Sequence, residues 1–325
     1  MANPNVGQTQ AMAWEKYAGK TPEDNIFDDY WLFNRLSKGK AFRSFDGGRD
    51  IRITLEYAVN STVASYTDTE PIATSRVDVF DEAVFAWKEY VGVVVMSELE
   101  KAFNQGSGGK FPLKPAKMKN LFSSFRKKLN EGMYSDGTGN SSKDVGGLQH
   151  LVATDPTAGT MGGISRVNFS FWRNQQASGA KTTTAFDNLR STMRSQYNSA
   201  SRGVSKEHPD FAITTQTVFE GYEALLVPSE RFTSADKKSG ADAGFRNEVL
   251  TFKGLQIAFD LDTPSGIMYL LNSEHIGLAY QKGYWMNGLP MVDPANQTVS
   301  IFRVMTIANM FTDNSRRNSA ITSIT

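Results

Sequence analysis

The sequence contains no cysteine among its 325 residues. A disulfide framework, a thiolate metal site and a cysteine nucleophile are therefore excluded. The sequence also lacks a G-x-S-x-G nucleophile motif and an HExxH metal motif, and its three histidines (His150, His208 and His275) lie far apart in the chain. Because no group of residues has the spacing of a catalytic or metal site, we expect no enzymatic activity, no cofactor and no metal.

Long apolar runs and a strong charge imbalance are also missing. The apolar run from Val91 to Met96 is far too short to cross a bilayer. The first twenty residues lack the basic and apolar regions of a secretory signal, so we expect a soluble protein made in a cytoplasm. A net charge of +1, from 35 basic and 34 acidic residues, argues against a dedicated nucleic-acid-binding protein.

The most regular pattern in the chain predicts a long amphipathic helix at residues 115–132. Its apolar residues are spaced by three and four positions, and they are Met118, Leu121, Phe122, Phe125 and Leu129. Pro115 suits the first helical turn, and Gly132 stands where the pattern stops. The opposite face is basic and carries Lys117, Lys119, Arg126, Lys127 and Lys128.

A long β-hairpin is predicted upstream of this helix. Side chains alternate between apolar and polar from Ile51 to Val59, and a second alternating run extends from Ile72 to Val79 after a polar tip. No third strand follows directly in sequence, and an isolated hairpin is marginally stable. We therefore expect this hairpin to need a partner surface.

Other patterns predict a mixed set of elements. Thr21 and Pro22 begin a helix rich in aromatic residues, and Ala83–Met96 is predicted as one buried strand. Ser97 to Glu100 form a capping-box pattern that begins a short helix. Further predicted elements are a helix containing Phe186, Leu189, Met193 and Tyr197, a short strand at Asp210–Thr214, a helix at Val218–Leu226, a strand pair around Gly254, a strand at Ile267–Leu271 and a long strand at Val299–Phe311.

The order of these elements and one stretch of sequence resemble the major capsid protein of tailed bacteriophages, which has the Hong Kong 97-like fold. The stretch follows the long helix and contains Tyr134–Gly139 (YSDGTG), Gly147-Leu148 (GL), Gly162–Arg166 (GGISR) and Phe171–Asn174 (FWRN). The resemblance covers nearly the whole chain from about Thr21. It implies an α+β fold.

The resemblance also implies a division of the chain into parts. These are an N-terminal arm (1–46), an extended loop formed by the β-hairpin (47–80), a peripheral domain (81–144 and 298–325) with the spine helix at 115–132, and an axial domain (145–297). The extended loop would lie over a neighbouring subunit, which would explain a long hairpin without a sheet of its own.

The implied function is that of a major capsid protein. Copies of the chain would assemble into hexamers and pentamers, and these would form an icosahedral head shell around the double-stranded DNA genome. The location would be the virion, after assembly in the host bacterial cytoplasm and without a membrane. Further implied partners are a portal protein, a decoration protein and packaged DNA held by nonspecific contact. A separate scaffolding protein is also implied, because no long charged coiled-coil segment precedes the fold in this sequence, unless such a segment was removed before residue 1.

Subunit contacts are expected at the hairpin tip, the aromatic N-terminal helix and a polar loop of the axial domain. The candidate residues are Val59, Asn60, Ser61, Thr62, Tyr66, Phe27, Tyr30, Trp31, Lys237 and Lys238. No lysine–asparagine cross-link is identified. The basic face of the spine helix has two interpretations, contact with DNA or pairing with acidic residues of a neighbour, and charge patterning favours the second.

Two other functions are compatible with the sequence. An encapsulin-like compartment would have the same fold and a protein cargo in place of DNA. A hydrolase or binding module would instead use the glycine-rich region from Thr154 to Gly163, and a pocket with two titratable groups would support it.

Overall fold

The computed structural model describes residues 30–103, 113–177, 186–201, 207–226 and 250–324. The helices in this part of the chain are α1 (Trp31–Leu36), α2 (Glu98–Phe103), α3 (Leu113–Tyr134), α4 (Leu148–Leu151), α5 (Phe186–Ala200) and α6 (Gln216–Leu226). The strands are β1 (Phe42–Phe45), β2 (Asp50–Glu56), β3 (Phe80–Ala86), β4 (Lys88–Ser97), β5 (Thr160–Met161), β6 (Ile164–Ser165), β7 (Gln175–Ala177), β8 (Phe211–Thr214), β9 (Leu250–Phe252), β10 (Leu255–Phe259), β11 (Met268–Leu271), β12 (Ile276–Gln281), β13 (Asn287–Val292), β14 (Val299–Thr312) and β15 (Ser319–Ile321).

The first large sheet is built around β14. This strand pairs antiparallel with β4 over ten residue pairs, from Val299 opposite Ser97 to Ala308 opposite Lys88. It also pairs antiparallel with β12 and β13, and β1 lies parallel to β12. The long strand predicted at Val299–Phe311 is therefore confirmed, and its pairing with β4 explains how it is held.

The second large sheet has six strands in the order β7-β15-β11-β8-β10-β9. Strands β8 and β11 are buried on both faces, so apolar cores form on both sides of this sheet. Ile213 and Tyr269 face a core shared with α1 and α3, whereas Ala212 and Leu270 face a core shared with α5 and α6. The predicted helix with Leu189 and Met193 is confirmed as α5.

Membership in the two sheets does not follow the order of the chain. Strands β12, β13 and β14 belong to the first sheet, whereas β11 before them and β15 after them belong to the second. The sequence does not encode which sheet a short buried strand such as Ser319–Ile321 joins, because strand pairing depends on a partner elsewhere in the chain. The division into peripheral and axial domains stays a prediction.

Helix α3 is longer than predicted and packs closely on β4. It spans 22 residues, about 33 Å. A side chain at Gly92 of β4 would place its Cβ 2.4 Å from the ring of Phe125, so the helix approaches the strand where no side chain intervenes. Gly132 does not end the helix. It lies inside α3, where a Cβ would be 3.1 Å from the Tyr90 hydroxyl, and so close packing explains it better than chain termination.

The strands of the hairpin differ from the prediction. Asp50–Glu56 pairs with Phe80–Ala86, so the predicted second strand at 72–79 is wrong. Those residues alternate in polarity, but they are largely exposed and have no strand beside them to complete a ladder. The single strand predicted at Ala83–Met96 is also wrong, because it divides at Trp87, whose Nε1 donates to the Gly48 carbonyl at 3.1 Å.

Candidate subunit-contact surfaces

The hairpin excursion, residues 57–79, extends beyond the last strand pair without forming strands itself. The Tyr57 amide donates to the Val79 carbonyl at 3.0 Å and closes its base. Near the tip, the Asn60 side chain accepts hydrogen bonds from the amide and hydroxyl of Thr62 at 3.0 and 2.7 Å. The Tyr66 hydroxyl donates to the Thr62 carbonyl and accepts from the Ala73 amide, both at 3.2 Å, so one side chain ties the two limbs together.

Large apolar side chains of the hairpin excursion face solvent. Val59, Val63 and Ile72 are 89%, 80% and 70% exposed, and Tyr66 is 39% exposed. Ser61 lies in the exposed turn beside them. The five predicted contact residues of this segment therefore lie together on an exposed arm. Contiguous exposed apolar side chains of this kind mark interaction surfaces.

Helix α1 does not present the exposed aromatic surface that the sequence predicted. Tyr30 is 8% exposed and belongs to the main core, and the ring of Trp31 lies 5.7 Å from that of Phe211 within the same chain. Phe33 stacks on Trp285 at 6.2 Å. The aromatic pattern is explained by packing on the chain's own strands, so Tyr30 is not available to a neighbour. Trp31 lines an open cleft of about 590 Å³ between α1, β10 and the turn after β11.

Three further candidates cannot be placed. Phe27, Lys237 and Lys238 lie outside the described residues. Their role in subunit contacts stays a prediction.

A second exposed apolar surface lies on β4, on the face opposite α3. Val91, Val93 and Val95 alternate along the strand and are each about half exposed. Their partners in β14 are Met305, Arg303 and Ile301 respectively. We call these six residues the β4–β14 face. The sequence analysis missed it because it interpreted the valine run as a strand covered on both sides, and only the position of α3 reveals the uncovered side.

The motif residues after the spine helix have structural roles. Arg166 is buried and donates to the carbonyls of His150 and Leu151 at 2.7 and 2.9 Å. Trp172 Nε1 donates to the Met161 carbonyl at 2.9 Å, and the Asn174 amide donates to the Ala153 carbonyl at 3.0 Å. These side chains satisfy buried backbone carbonyls in the irregular segment 150–174. The GGISR and FWRN motifs therefore stabilise the conformation of this segment.

Titratable groups in this segment are shifted by burial and local hydrogen bonds. Burial lowers the pKa of Arg166 to about 10. Burial is also the main cause that lowers the pKa of His150, with the Arg166 charge contributing in the same direction. The Thr157 hydroxyl and amide bind the exposed Asp155 carboxylate and lower its pKa. The Asp155 carboxylate thus stabilises a local turn. Within residues 154–163, no pair of titratable groups faces a pocket, so the structure gives no support to the hydrolase interpretation.

One histidine–carboxylate pair has a geometry that general bases use. His275 Nδ1 lies 2.8 Å from Asp313 Oδ1, but Arg43 also binds Asp313 at 3.1 Å. His275 Nε2 is buried and has no hydrogen-bond partner in the part of the chain that the structure describes, so no nucleophilic hydroxyl is attached to it there. Among the same residues no cluster of metal-binding side chains occurs, and no helix is long and apolar enough to span a membrane.

A buried polar cluster joins α1, α3 and the turn after β10. Asn130 of α3 is fully buried, and its side-chain oxygen accepts from the Phe33 amide at 3.3 Å. Its amide donates to Asp260 at 3.1 Å and to Asp262 at 2.7 Å. Asp260 also accepts weakly from the Leu32 amide at 3.5 Å. The cluster thus satisfies amides at the start of α1, which has no side-chain cap of its own.

Burial dominates the electrostatics of this junction. It raises the pKa of Asp260, although the Asp262 amide, Asn130 and the Leu32 amide oppose the shift by stabilising the carboxylate. Burial and the Asp260 charge together raise the pKa of Tyr134. The sequence analysis missed this cluster, because a lone asparagine on the edge of a helical pattern gives no signal of its distant partners.

Comparison with solved structures identifies the fold. The chain resembles the capsid of cyanophage A-1(L) with a TM-score of 0.68 and 17% identity, over 94% of this chain and 96% of that one. The capsid of cyanophage P-SCSP1u matches with a TM-score of 0.64 and 11% identity, over 97% and 94% of the two chains. The SrpI encapsulin of Synechococcus elongatus PCC 7942 matches with a TM-score of 0.58 and 10% identity, over 100% and 96%. No family model matches the sequence, and no curated protein matches it significantly.

These matches extend along the whole chain and include phage capsid proteins. The protein therefore has the α+β Hong Kong 97-like capsid fold, as the resemblance implied.

Proposed function

We propose that the protein is a phage major capsid protein that forms the head shell by self-assembly into hexamers and pentamers. The shell encloses double-stranded DNA, which it contacts nonspecifically, and it assembles in the host cytoplasm with a separate scaffolding protein and a portal protein. A decoration protein is a further proposed partner. The role is structural and is carried by contacts between subunits, without catalysis.

The hairpin excursion is the observation that carries this proposal. This segment of 23 residues projects from the sheets, and hydrogen bonds of one tyrosine connect its outgoing and returning parts. Its side chains Val59, Val63 and Ile72 are exposed. In a monomer this exposed apolar surface would remain in contact with water and would promote association. A neighbouring copy that covers this segment removes that surface from water. Repeated between successive copies, such a contact is heterologous, and it closes into a ring when the rotation from one subunit to the next divides a full turn evenly.

An encapsulin-like compartment is the second candidate. The full-length match to the SrpI encapsulin favours it, because the fold alone does not distinguish the two shells. The content of purified particles separates them. Nuclease-protected DNA of defined length supports the phage capsid, whereas particles that contain only a protein cargo support the compartment.

Deletion of Val59–Glu70 tests the role of the hairpin excursion. Among the described residues, the hydrogen bonds of the deleted residues stay within the hairpin excursion, so we expect the subunit to fold with a far-ultraviolet circular dichroism spectrum close to that of the intact chain. We also expect closed particles to disappear from electron micrographs. Normal particles formed by the deletion variant would contradict the proposed contact.

Substitution provides a milder form of the same test. The variant Val59→Ser/Val63→Ser/Ile72→Ser keeps the length of the segment but removes its apolar side chains. Val167→Ser/Leu261→Ser is the matched control, since both residues are about 60% exposed and lie elsewhere. We expect a severalfold loss of particle yield for the first variant only. Equal yields would indicate that apolar contact by this segment does not drive assembly.

A further inference from the structure

Helix α3 carries several basic side chains that have no ion pair within the part of the chain that the structure describes. Lys117 pairs with Glu100 at 2.8 Å, and Lys128 pairs with Glu131 at 3.5 Å. Four other cations of the helix have no ion pair among the described residues, and they are Lys114, Lys119, Arg126 and Lys127. Three of them, Lys119, Arg126 and Lys127, lie within about 100° of one another around the helix axis, and we call these three residues the basic helix face. Glu131 is the only acidic residue of α3, so the helix has a strong local excess of positive charge in a chain of net charge +1.

The position of these cations makes them available to a large partner. Phe125 packs against β4 of the first sheet and Leu129 is buried in the main core, and this fixes the direction of the remaining face. Lys119 and Arg126 are both exposed and lie seven residues apart, two helical turns and about 10.5 Å, and Lys127 is half-buried. The three residues extend along about 12 Å of the helix. Because Phe125 and Leu129 anchor the helix beside them, these charges keep a fixed spacing.

We infer that the basic helix face binds the phosphate backbone of double-stranded nucleic acid, and this inference rests on the proposed capsid function. A duplex carries one negative charge per about 1.7 Å of its axis, so three cations held by a rigid helix are complementary to it in charge. No base-reading geometry is required, because phosphate contacts carry no sequence information. The face would therefore line the interior of the shell and hold the packaged duplex without sequence preference.

The local charge of α3 matters more for contact with nucleic acid than the net charge of the whole chain. The near-zero net charge argued against a dedicated nucleic-acid-binding protein, but the basic and acidic residues are not evenly distributed. Two acidic residues near α3 already pair with its lysines, because Glu100 binds Lys117 and Glu131 binds Lys128. The alternative occupant is an acidic surface of a neighbouring subunit. That occupant predicts a loss of assembly when the cations are removed, which the experiment below measures.

The test is a titration of a fluorescent 30-base-pair duplex of random sequence with the purified chain at several salt concentrations. The variant Lys119→Gln/Arg126→Gln/Lys127→Gln removes three charges of the basic helix face. The matched control, Lys38→Gln/Arg49→Gln/Lys143→Gln, removes three exposed charges elsewhere. Each phosphate contact contributes about 0.9 to the slope of log affinity against log salt. We expect the slope to fall by about 2 to 3 for the first variant and to stay unchanged for the control.

Electron microscopy of the same preparations separates this inference from the proposed function. Particles from all three proteins, with a reduced slope only in the basic-face variant, support the inference. An equal slope in both variants overturns it and leaves the shell function intact. Loss of particles in the basic-face variant with an unchanged slope also overturns it, because the cations would then bind a neighbouring subunit. Absence of particles from the intact chain contradicts the shell function, while the slope still reports on the basic helix face.

Discussion

At the scale of single residues, the two glycines Gly146 and Gly147 have different structural requirements. A Cβ at Gly147 would lie 2.3 Å from the Met133 carbonyl oxygen, whereas a Cβ at Gly146 would meet nothing closer than His150 at 3.4 Å. The first contact is with backbone at the end of α3, which cannot move without disturbing the helix. The second is an ordinary van der Waals contact.

We therefore predict that Gly147→Ala lowers the free energy of unfolding by about 3 kcal/mol, as overpacking against rigid backbone does. Gly146→Ala is the matched control and should change it by less than about 0.5 kcal/mol. Urea denaturation of the unassembled subunit, followed by tryptophan fluorescence, measures both. Equal stabilities of the two variants would show that the chain relaxes around Gly147.

The sequence revealed the GL, GGISR and FWRN motifs without revealing what they do. Their roles depend on partners distant in sequence, such as the Leu151 carbonyl for Arg166 and the Met161 carbonyl for Trp172. For the aromatic residues of α1, the sequence analysis assigned a wrong role. An apolar pattern indicates that a surface is buried, but it does not indicate whether the covering surface belongs to the same chain or to a neighbour. Tyr30 is covered by its own chain.

At the scale of elements, the docking of α1 depends on Asn130. Its side chain binds an amide of α1 and both Asp260 and Asp262, so its loss leaves several buried polar groups without partners. We predict that Asn130→Ala lowers the free energy of unfolding by about 2 to 4 kcal/mol. Exposed Asn120 on the same helix provides the control, and Asn120→Ala should have an effect within about 0.5 kcal/mol.

Hydrogen exchange locates the effect of this substitution. In Asn130→Ala we expect faster exchange of amides in α1, because the start of the helix loses its acceptors. Unchanged protection of Leu32 and Phe33 relative to the Asn120→Ala control would contradict this role of Asn130.

Regular elements with a clear period were predicted well. The spine helix, the capping box at Ser97 and the strand pair around Gly254 all occur, and Ser97 Oγ accepts the Glu100 amide at 3.4 Å. Prediction failed where an alternating pattern lacked a pairing partner, as at residues 72–79, and where short strands such as β1 and β15 were too brief for a period to appear. The periodicity of side chains is a property of one segment, whereas a β-strand forms only when a second segment pairs with it.

At the scale of the whole molecule, the described residues include two surfaces rich in exposed apolar side chains, the hairpin excursion and the β4–β14 face. The resemblance to capsid proteins was carried by the order of elements, which the structural matches confirm as a shared fold. How the elements divide between the two sheets was not predictable from that order, because β14 and β15 follow each other in sequence yet join different sheets.

The central claim is that this chain assembles into a closed shell. Negative-stain electron microscopy with light scattering, on the purified chain alone and with a candidate scaffolding protein, tests it most directly. The account predicts rings of five or six subunits, tubes or closed particles in at least one of the two conditions. A protein that stays monomeric in both conditions would contradict it.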